Sequence, residues 1–270
     1  MFLIGGIIFA LSEASDADVG KNGVSMYKLS PNEYFSLETH KRGESISPEL
    51  VLQKSLDREK KPYIQLILTA VDGGSPPNSG TSEIEINVLD INDNAPLFSS
   101  TLYKVQIFEN IPVGTAVFTL NATDADEGTN SEIVYSLRNK DQDHILDIFK
   151  IDSDTGVISV KGKIDYEDRK AFEIRAEARD KGQPPMSAHS KVLVEITDVN
   201  DNAPEITVTS LLSTDASIGT AIALVSVFDK DGGKNGMVNC KISNNVPFKL
   251  ELCFSLAISS LPHTRWSDTR

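Results

Sequence analysis

The sequence predicts an all-β protein built from tandem Greek-key β-sandwich domains, the first and the last of them truncated. Three observations predict this fold: acidic motifs recur at a spacing of 108 residues, short alternating segments lie between turn residues, and no long amphipathic helix pattern is present. The 270 residues exceed one ordinary domain, and a hydrophobic share of 40% is enough for packed cores. We therefore expect two or three sandwiches in a row.

The repeat is set by acidic landmarks that keep one register. Asp57-Arg58-Glu59 recurs 108 residues later as Asp165-Tyr166-Glu167, and the motif Asp-x-Asn-Asp-Asn-Ala-Pro occurs at 90–96 and again at 198–204. Pairs of the form Asp-x-Asp begin at Asp16, Asp124 and Asp229. The register predicts four segments: 1–96, a repeat that lacks its first strand; 97–204, a complete repeat; 205–250, the N-terminal half of a repeat; and 251–270, a divergent tail.

Strands are predicted wherever branched and aromatic residues alternate with polar ones. The turn residues Asp152–Gly156 predict a hairpin rather than a metal loop. The apolar stretch 2–11 has the length of a signal-peptide core, but it lacks a basic flank and a small-residue cleavage site, so the register favours a strand. The clearest strand segments are 63–70, 83–89, 102–108, 157–160, 172–178 and 191–197.

Charge and motifs exclude several classes of function. A net charge of −13 argues against binding to nucleic acid. Nucleophile-elbow, dinucleotide, P-loop and zinc-protease motifs are absent, and the acid pairs recur in every copy as structural ligands would, so we expect no enzyme and no small-molecule substrate. No stretch reaches the ~20 apolar residues that span a bilayer. The two cysteines, Cys240 and Cys253, leave open whether they form a local bridge.

The recurring acids suit a hard cation. Calcium takes six to eight oxygen ligands from carboxylates, amides and carbonyls, and tolerates irregular geometry. The Asp-x-Glu, Asp-x-Asp and Asn-Asp-Asn motifs supply such oxygens, and the short linkers that follow 90–94 and 198–202 would bring them together where one sandwich meets the next. We therefore predict Ca²⁺ as the cofactor, bound at the junctions between repeats.

These motifs, in this order, resemble the extracellular repeats of the cadherin superfamily. Segments 30–38, 50–59 and 105–114 resemble the clustered protocadherins, nearest the alpha group. The resemblance covers about residues 9–250 and implies a calcium-stiffened ectodomain fragment for homophilic cell–cell adhesion. It implies an identical ectodomain on an apposed cell as partner, with further members of the family as cis partners.

The resemblance also implies the ligands. At the first junction they are Asp57, Glu59, Ile91, Asn92, Asp93, Asn94, Asp124, Asp126, Asn130 and Asp180. At the second they are Glu109, Asp165, Glu167, Val199, Asn200, Asp201, Asn202, Asp229, Asp231 and Asn235. An orphan half-site would consist of Asp16, Asp18, Asn22 and Asp72.

The sequence departs from the family pattern at both junctions. The first repeat has no counterpart of Glu109, because that position falls at or before Met1, and the third copy has Ser213-Thr214-Asp215-Ala216 where this glutamate belongs. The first junction therefore lacks one bridging carboxylate, whereas the second keeps Glu109 but lacks the aspartate that a complete third repeat would supply. We expect weakened calcium sites at both junctions. The resemblance implies the extracellular side of the plasma membrane, with Asn121-Ala122-Thr123 as an N-glycosylation acceptor. A soluble secreted calcium-binding decoy, or a non-functional truncated product, is the alternative.

Overall fold

A computed structural model describes residues 7–43, 45–138, 145–210, 221–244, 248–253 and 263–268. Its chain divides into two compact units, Met1–Asn94 with Ala125–Asn130, and Ala95–Asp124 with Ser131–Arg270. Both units are built from β-strands, as the alternating segments predict, and the α-helix of the described residues, α1, is confined to Ile145–Ile148. The segment boundaries at 96, 204 and 250 remain predictions.

The first unit contains two three-stranded sheets, in the orders β1-β4-β3 and β2-β5-β6. Residues 8–10 form the strand that the register favours for the apolar N-terminus, whereas residues 2–6 of that stretch lie outside the described ones. A 3-10 turn, Gly20–Asn22, precedes β2. The strands are β1 Ile8–Ala10, β2 Val24–Leu29, β3 Phe35–Arg42, β4 Ser45–Leu52, β5 Tyr63–Asp72 and β6 Ser79–Asn87.

The second unit contains most of segment 97–204, which the register predicts as a complete repeat. Its main sheet has the order β11-β14-β15-β8, with β8 parallel to β15, and the facing sheet has the order β12-β13-β9. A pair of two-residue strands, β7 and β10, closes one edge. The strands are β7 Leu97–Phe98, β8 Leu102–Phe108, β9 Ala116–Thr119, β10 Ala122–Thr123, β11 Ile133–Leu137, β12 Phe149–Ile151, β13 Val157–Val160, β14 Ala171–Asp180 and β15 Ser187–Thr197.

Beyond residue 204 the chain forms a sheet of order β16-β17-β19-β18. Two of its strands contain residues of the tail predicted as divergent from residue 251, so part of this tail is paired β-structure. Short alternation of apolar and polar residues in 248–252 is enough for a strand even though the repeat landmarks are missing. The strands are β16 Glu205–Ser210, β17 Ala221–Phe228, β18 Phe248–Cys253 and β19 His263–Asp268.

The repeat extends to matching contacts in the two cores. The hydroxyl of Tyr27 accepts the N–H of Ala14 at 2.7 Å, and 108 residues later the hydroxyl of Tyr135 accepts the N–H of Ala122 at 2.9 Å. In the complete repeat Phe149 is fully buried and meets Phe172 edge-on, with ring centroids 5.3 Å apart. These packed sandwiches fix the loops that carry the acidic motifs.

Candidate metal centre

The first acidic cluster lies within the first unit. Glu59, Asp90 and Asp126 each offer a carboxylate oxygen, and these oxygens all lie within 4.8 Å of one another. Glu59 comes from the turn after β4, Asp90 from the residues after β6, and Asp126 from the loop 125–130. Asn94 holds Asp126 in place, because its side-chain amide donates to Oδ1 at 2.7 Å and its backbone N–H donates to Oδ2 at 3.2 Å.

Asp90 is the centre of this cluster's hydrogen bonds. Its carboxylate accepts the Glu127 N–H at 3.1 Å, the Asn130 amide at 2.8 Å and the Arg58 guanidinium. Burial opposes ionisation of Asp90, but these donors outweigh it and lower the pKa of the carboxyl. Asp90 therefore stays charged and anchors the loop.

The second cluster lies within the second unit and has two overlapping groups of three. Glu109, Glu167 and Asp201 form one group, and Glu167, Asp198 and Asp231 form the other. Burial, followed by the neighbouring carboxylates Asp165 and Glu109, raises the pKa of Glu167 to about 7. This cluster therefore gathers negative charge that its own surroundings do not fully compensate.

The atoms of the second cluster fit a hard cation. Glu167 Oε1 and Asp231 Oδ2 are both buried and find no hydrogen-bond partner among the described residues. Every potential ligand in the three groups is a carboxylate oxygen, the donor that Ca²⁺ and Mg²⁺ prefer. A cation placed among these oxygens would supply the missing partners and relieve the repulsion.

The structure brings some predicted ligands together and gives others different partners. Glu59 and Asp126 meet in the first cluster, and Glu109, Glu167, Asp201 and Asp231 meet in the second. Asp57 and Asp165 are instead bound by lysines, Lys60 and Lys163, each at 2.6 Å. Asp124 and Asp180 belong to the second unit, whereas Asp57, Ile91, Asn92, Asp93 and Asn130 belong to the first.

The amide ligands follow one pattern in both copies. Asn202 donates to Asp231 at 2.7 Å as Asn94 does to Asp126, and Asn235 donates to Asp198 at 2.6 Å as Asn130 does to Asp90. Asp229 accepts the Asp231 N–H at 3.0 Å.

The predicted backbone ligands form local hydrogen bonds. The Ile91 carbonyl accepts the N–H of Asp93, and the Val199 N–H donates to the Glu109 carboxylate. Asn200 lies on the exposed surface.

The predicted ligands do not include Asp90 and Asp198, although both lie in the acidic clusters. Each is the first aspartate of its Asp-x-Asn-Asp-Asn motif, and the prediction covers only the residues that follow it. Their position at the same offset in two copies was the signal that could have found them.

The residues of the orphan half-site are arranged as a loop end. Asp16 and Asp18 line an open polar pocket of about 180 Å³ with Glu13, and Asn22 ends the 3-10 turn nearby. Asp72 accepts the N–H groups of Gly74 and Asn78, and the Asn78 hydrogen bond is the main reason that its pKa is lowered. Asn121 is exposed immediately before β10, which leaves it accessible for glycosylation.

The Cadherin domain family model matches residues 6–89 and 103–197, more than half of the chain. The chain belongs to the cadherin family. This cadherin chain is 52% identical to human protocadherin alpha-4 over 250 residues, which is 91% of the chain and 26% of the relative. It is 50% identical to human protocadherin gamma-C3 over 249 residues, 91% of the chain and 27% of the relative. The chain thus spans about a quarter of the length of these curated relatives.

A solved structure supports the assignment of this chain to the cadherin family. The structure of protocadherin gamma B2 extracellular cadherin domains 1-5 is 40% identical with a TM-score of 0.88, and the match covers 98% of this cadherin and 50% of that chain. Cadherins are adhesion proteins rather than enzymes. None of the helices in the described part of this cadherin has the length and apolar character needed to cross a membrane.

Proposed function

We propose that this cadherin binds Ca²⁺ at its two acidic clusters and, as part of an ectodomain, takes part in calcium-dependent homophilic adhesion. The observation that carries the calcium proposal is the second cluster, where the buried oxygens Glu167 Oε1 and Asp231 Oδ2 have no partner among the described residues. The amides and carbonyls of the predicted ligand set would complete each coordination shell. Adhesion is inferred from the family.

The partner proposed is an identical ectodomain on an apposed cell, with related protocadherins as cis partners. The extracellular side of the plasma membrane is the proposed location, since carboxylate sites of weak affinity fill only where calcium is abundant. Calcium would hold the acidic loops in one arrangement because a bound cation links carboxylates that repel one another without it.

Calcium binding is tested by calorimetric titration of the full chain. We expect wild type to bind at millimolar calcium or below, and Glu167→Gln with Asp231→Asn to lose binding at the second cluster. Glu195→Gln with Glu132→Gln, which also removes two negative charges but lies outside the three-carboxylate groups, serves as the control. A wild-type chain that binds no calcium while its circular dichroism shows folded β-structure would contradict the proposal.

Adhesion is tested with beads coated with the full chain. Beads should aggregate in calcium and disperse in EDTA, and they should segregate from beads coated with a different protocadherin. If the chain binds calcium but its beads stay dispersed, the proposed metal site stands and the proposed adhesive role of this chain is refuted.

A further inference from the structure

The hairpin formed by β3 and β4 in the first unit is longer than its counterpart in the second unit. β3 and β4 have eight residues each, whereas β12 and β13 have three and four. Phe35 pairs with Leu52 at the base of the first hairpin as Phe149 pairs with Val160 at the base of the second. The extra length of the first hairpin therefore lies at its tip.

The tip of this hairpin is a ribbon of two strands. Strand β1 pairs with β4 as far as Glu49, and one further hydrogen bond follows, from the Leu11 N–H to the Pro48 carbonyl at 3.0 Å. Because the N and O atoms of a strand residue point to the same side, the proline nitrogen faces the same neighbour without a hydrogen to donate. The ladder with β1 ends there. In the described part of the chain, the strand residues 39–42 and 45–47 pair only with each other.

One strand of this ribbon is also an exposed sheet edge. β3 is the outer strand in the order β1-β4-β3, and residues 38–43 are all exposed. The other strand has contacts, since the Ser47 hydroxyl donates to Glu13, and Ser45 and Ile46 line the polar pocket that Glu13 also lines. A two-stranded hairpin is only marginally stable in water, and an edge strand presents backbone groups that can pair with another chain. The ribbon can therefore open locally on its β3 side.

The exposed end of β3 has two consecutive basic residues. Lys41 and Arg42 are its last residues, and Gly43 follows in the turn with φ +64°. Serine endoproteases that cleave after paired basic residues bind an extended strand and hold the basic side chains in acidic pockets. Exposed loop tips are also the preferred sites of proteolytic cleavage. An edge strand that ends in Lys-Arg offers both the backbone and the side chains that such a protease recognises.

The sequence has two other pairs of consecutive basic residues, and the first of them is a poor substrate. Lys60-Lys61 precedes Pro62, and a proline after the scissile bond hinders cleavage because its ring fixes the backbone and removes the N–H. Lys60 binds Asp57 at 2.6 Å, and the Lys61 ammonium lies 5.3 Å from the centroid of the Tyr34 ring.

The second of these pairs, Arg169-Lys170, is held by aromatic rings. The Arg169 guanidinium lies 5.5 Å from the centroid of the Phe172 ring, and the Lys170 ammonium lies 5.2 Å from that of Tyr166. The Arg169 N–H also donates to the Asp165 carbonyl at 3.0 Å. A protease would have to break these contacts before it could bind this pair.

We propose that the Arg42–Gly43 peptide bond is a processing site for a serine endoprotease that cleaves after paired basic residues. Water is the co-reactant. Its hydroxyl group adds to the Arg42 carbonyl carbon and its hydrogen goes to the Gly43 nitrogen as the C–N bond breaks, which leaves a carboxyl group on Arg42 and an amino group on Gly43. The pieces 1–42 and 43–270 stay together, because β1 and β3 of one piece pair with β4 of the other.

This cleavage does not depend on the proposed calcium binding. The encounter with a protease of the secretory route or the cell surface rests on the proposed extracellular location, whereas the accessibility of the bond rests only on the ribbon. Both the recognition and the accessibility can be tested with purified components.

Digestion of the folded full chain with a kexin-type endoprotease, followed by mass spectrometry, tests the site. We expect the first cleavage after Arg42, with cleavage at the two other basic pairs at least about 10-fold slower. Arg42→Gln should slow cleavage here by about 100-fold or more, because it leaves an acidic pocket of the protease without its cation. Arg169→Gln, which removes one arginine from another basic pair, should be cleaved after Arg42 as fast as wild type. The cleaved chain should elute as one species in native gel filtration and separate into two fragments in denaturant.

A synthetic peptide of residues 36–47 separates recognition from accessibility. An uncut folded chain beside a cut peptide would overturn the accessibility of the ribbon, and an uncut peptide would overturn the recognition of Lys41-Arg42. Equally fast cleavage at either of the other basic pairs would also overturn the proposal. Circular dichroism reports whether each variant is folded, and Lys41→Gln, which breaks the same pair, should show the same loss if Arg42→Gln fails to fold. Since calorimetry measures calcium binding separately, none of these results changes the calcium proposal.

Discussion

Glu109 links the metal chemistry of the second cluster to the stability of the chain, and Glu109→Gln separates the charge of this side chain from its size. Glu109 is 2% exposed, and its two oxygens accept the N–H groups of Val199 and Tyr166, each at 2.7 Å. The substitution removes one negative charge from the group of Glu109, Glu167 and Asp201. We expect calcium to stabilise the variant far less than wild type.

The size of the calcium-induced stabilisation follows from the linkage between calcium binding and folding. Extracellular calcium modules bind with a Kd of about 10⁻⁴ to 10⁻³ M. At about 10 mM calcium and a Kd of about 10⁻⁴ M, binding stabilises the folded state by about 2.7 kcal/mol. If the lost carboxylate weakens binding about 10- to 100-fold, the stabilisation falls to between about 1.4 and about 0.4 kcal/mol. For a domain of about 100 residues, a change of 1 kcal/mol shifts Tm by about 4–8 °C. Wild type should therefore gain roughly 10–20 °C in Tm with calcium, and the variant roughly 2–10 °C.

Thermal unfolding followed by circular dichroism, with and without calcium, measures this difference. Glu132→Gln is the matched control, because Glu132 forms a half-exposed surface pair with Lys181 at 2.7 Å and lies in none of the three-carboxylate groups. The control should keep the full calcium-induced rise in Tm. Equal rises in wild type and Glu109→Gln would refute the assignment of Glu109 to the metal site.

Three further predictions concern the complete repeat. Phe149→Ala should lower the free energy of unfolding by about 3–5 kcal/mol, because the side chain is fully buried against Phe172, and a urea titration that finds less than about 1 kcal/mol would contradict this core. Gly156→Ala should cost about 1–3 kcal/mol, since Gly156 has φ +69° and a Cβ would lie 2.5 Å from the Leu120 carbonyl oxygen; a thermal melt equal to wild type would exclude this turn geometry. In EDTA, stability should fall by about 1–2 kcal/mol as the pH rises from about 4.5 to about 7, because the raised pKa of Glu167 lets the folded state keep a proton that the unfolded state has lost. Glu167→Gln should remove that slope in urea titrations across the same pH range, and an unchanged slope would assign the effect to another group.

Much of the fold could be predicted from the sequence because a strand shows its pattern locally. Segments 102–108 and 157–160 match β8 and β13 as predicted. The segment 83–89 instead forms β6 at Ser79–Asn87, because backbone pairing with β5 extends the hairpin into residues without an alternating pattern. Backbone hydrogen bonds do not depend on the side chains, so the ends of strands were the least predictable feature.

The site was less predictable because carboxylates compete for partners. A repeated motif indicates which residues share a role, and it led to Glu59, Asp126, Glu167 and Asp231. It does not indicate that Lys60 would bind Asp57, since a flexible lysine side chain finds its partner only in the folded chain. The repeated motif also does not indicate that Asp90, rather than a neighbouring residue of the motif, accepts the Glu127 N–H and anchors the loop 125–130.

The comparison of the two copies shows what a metal would have to supply. In the first cluster the guanidinium of Arg58 contacts two of the three carboxylates and offsets one of their negative charges. In the second cluster position 166 supplies no positive charge, and burial, followed by the neighbouring carboxylates Asp165 and Glu109, raises the pKa of Glu167. A bound cation would therefore have to offset more negative charge in the second cluster than in the first.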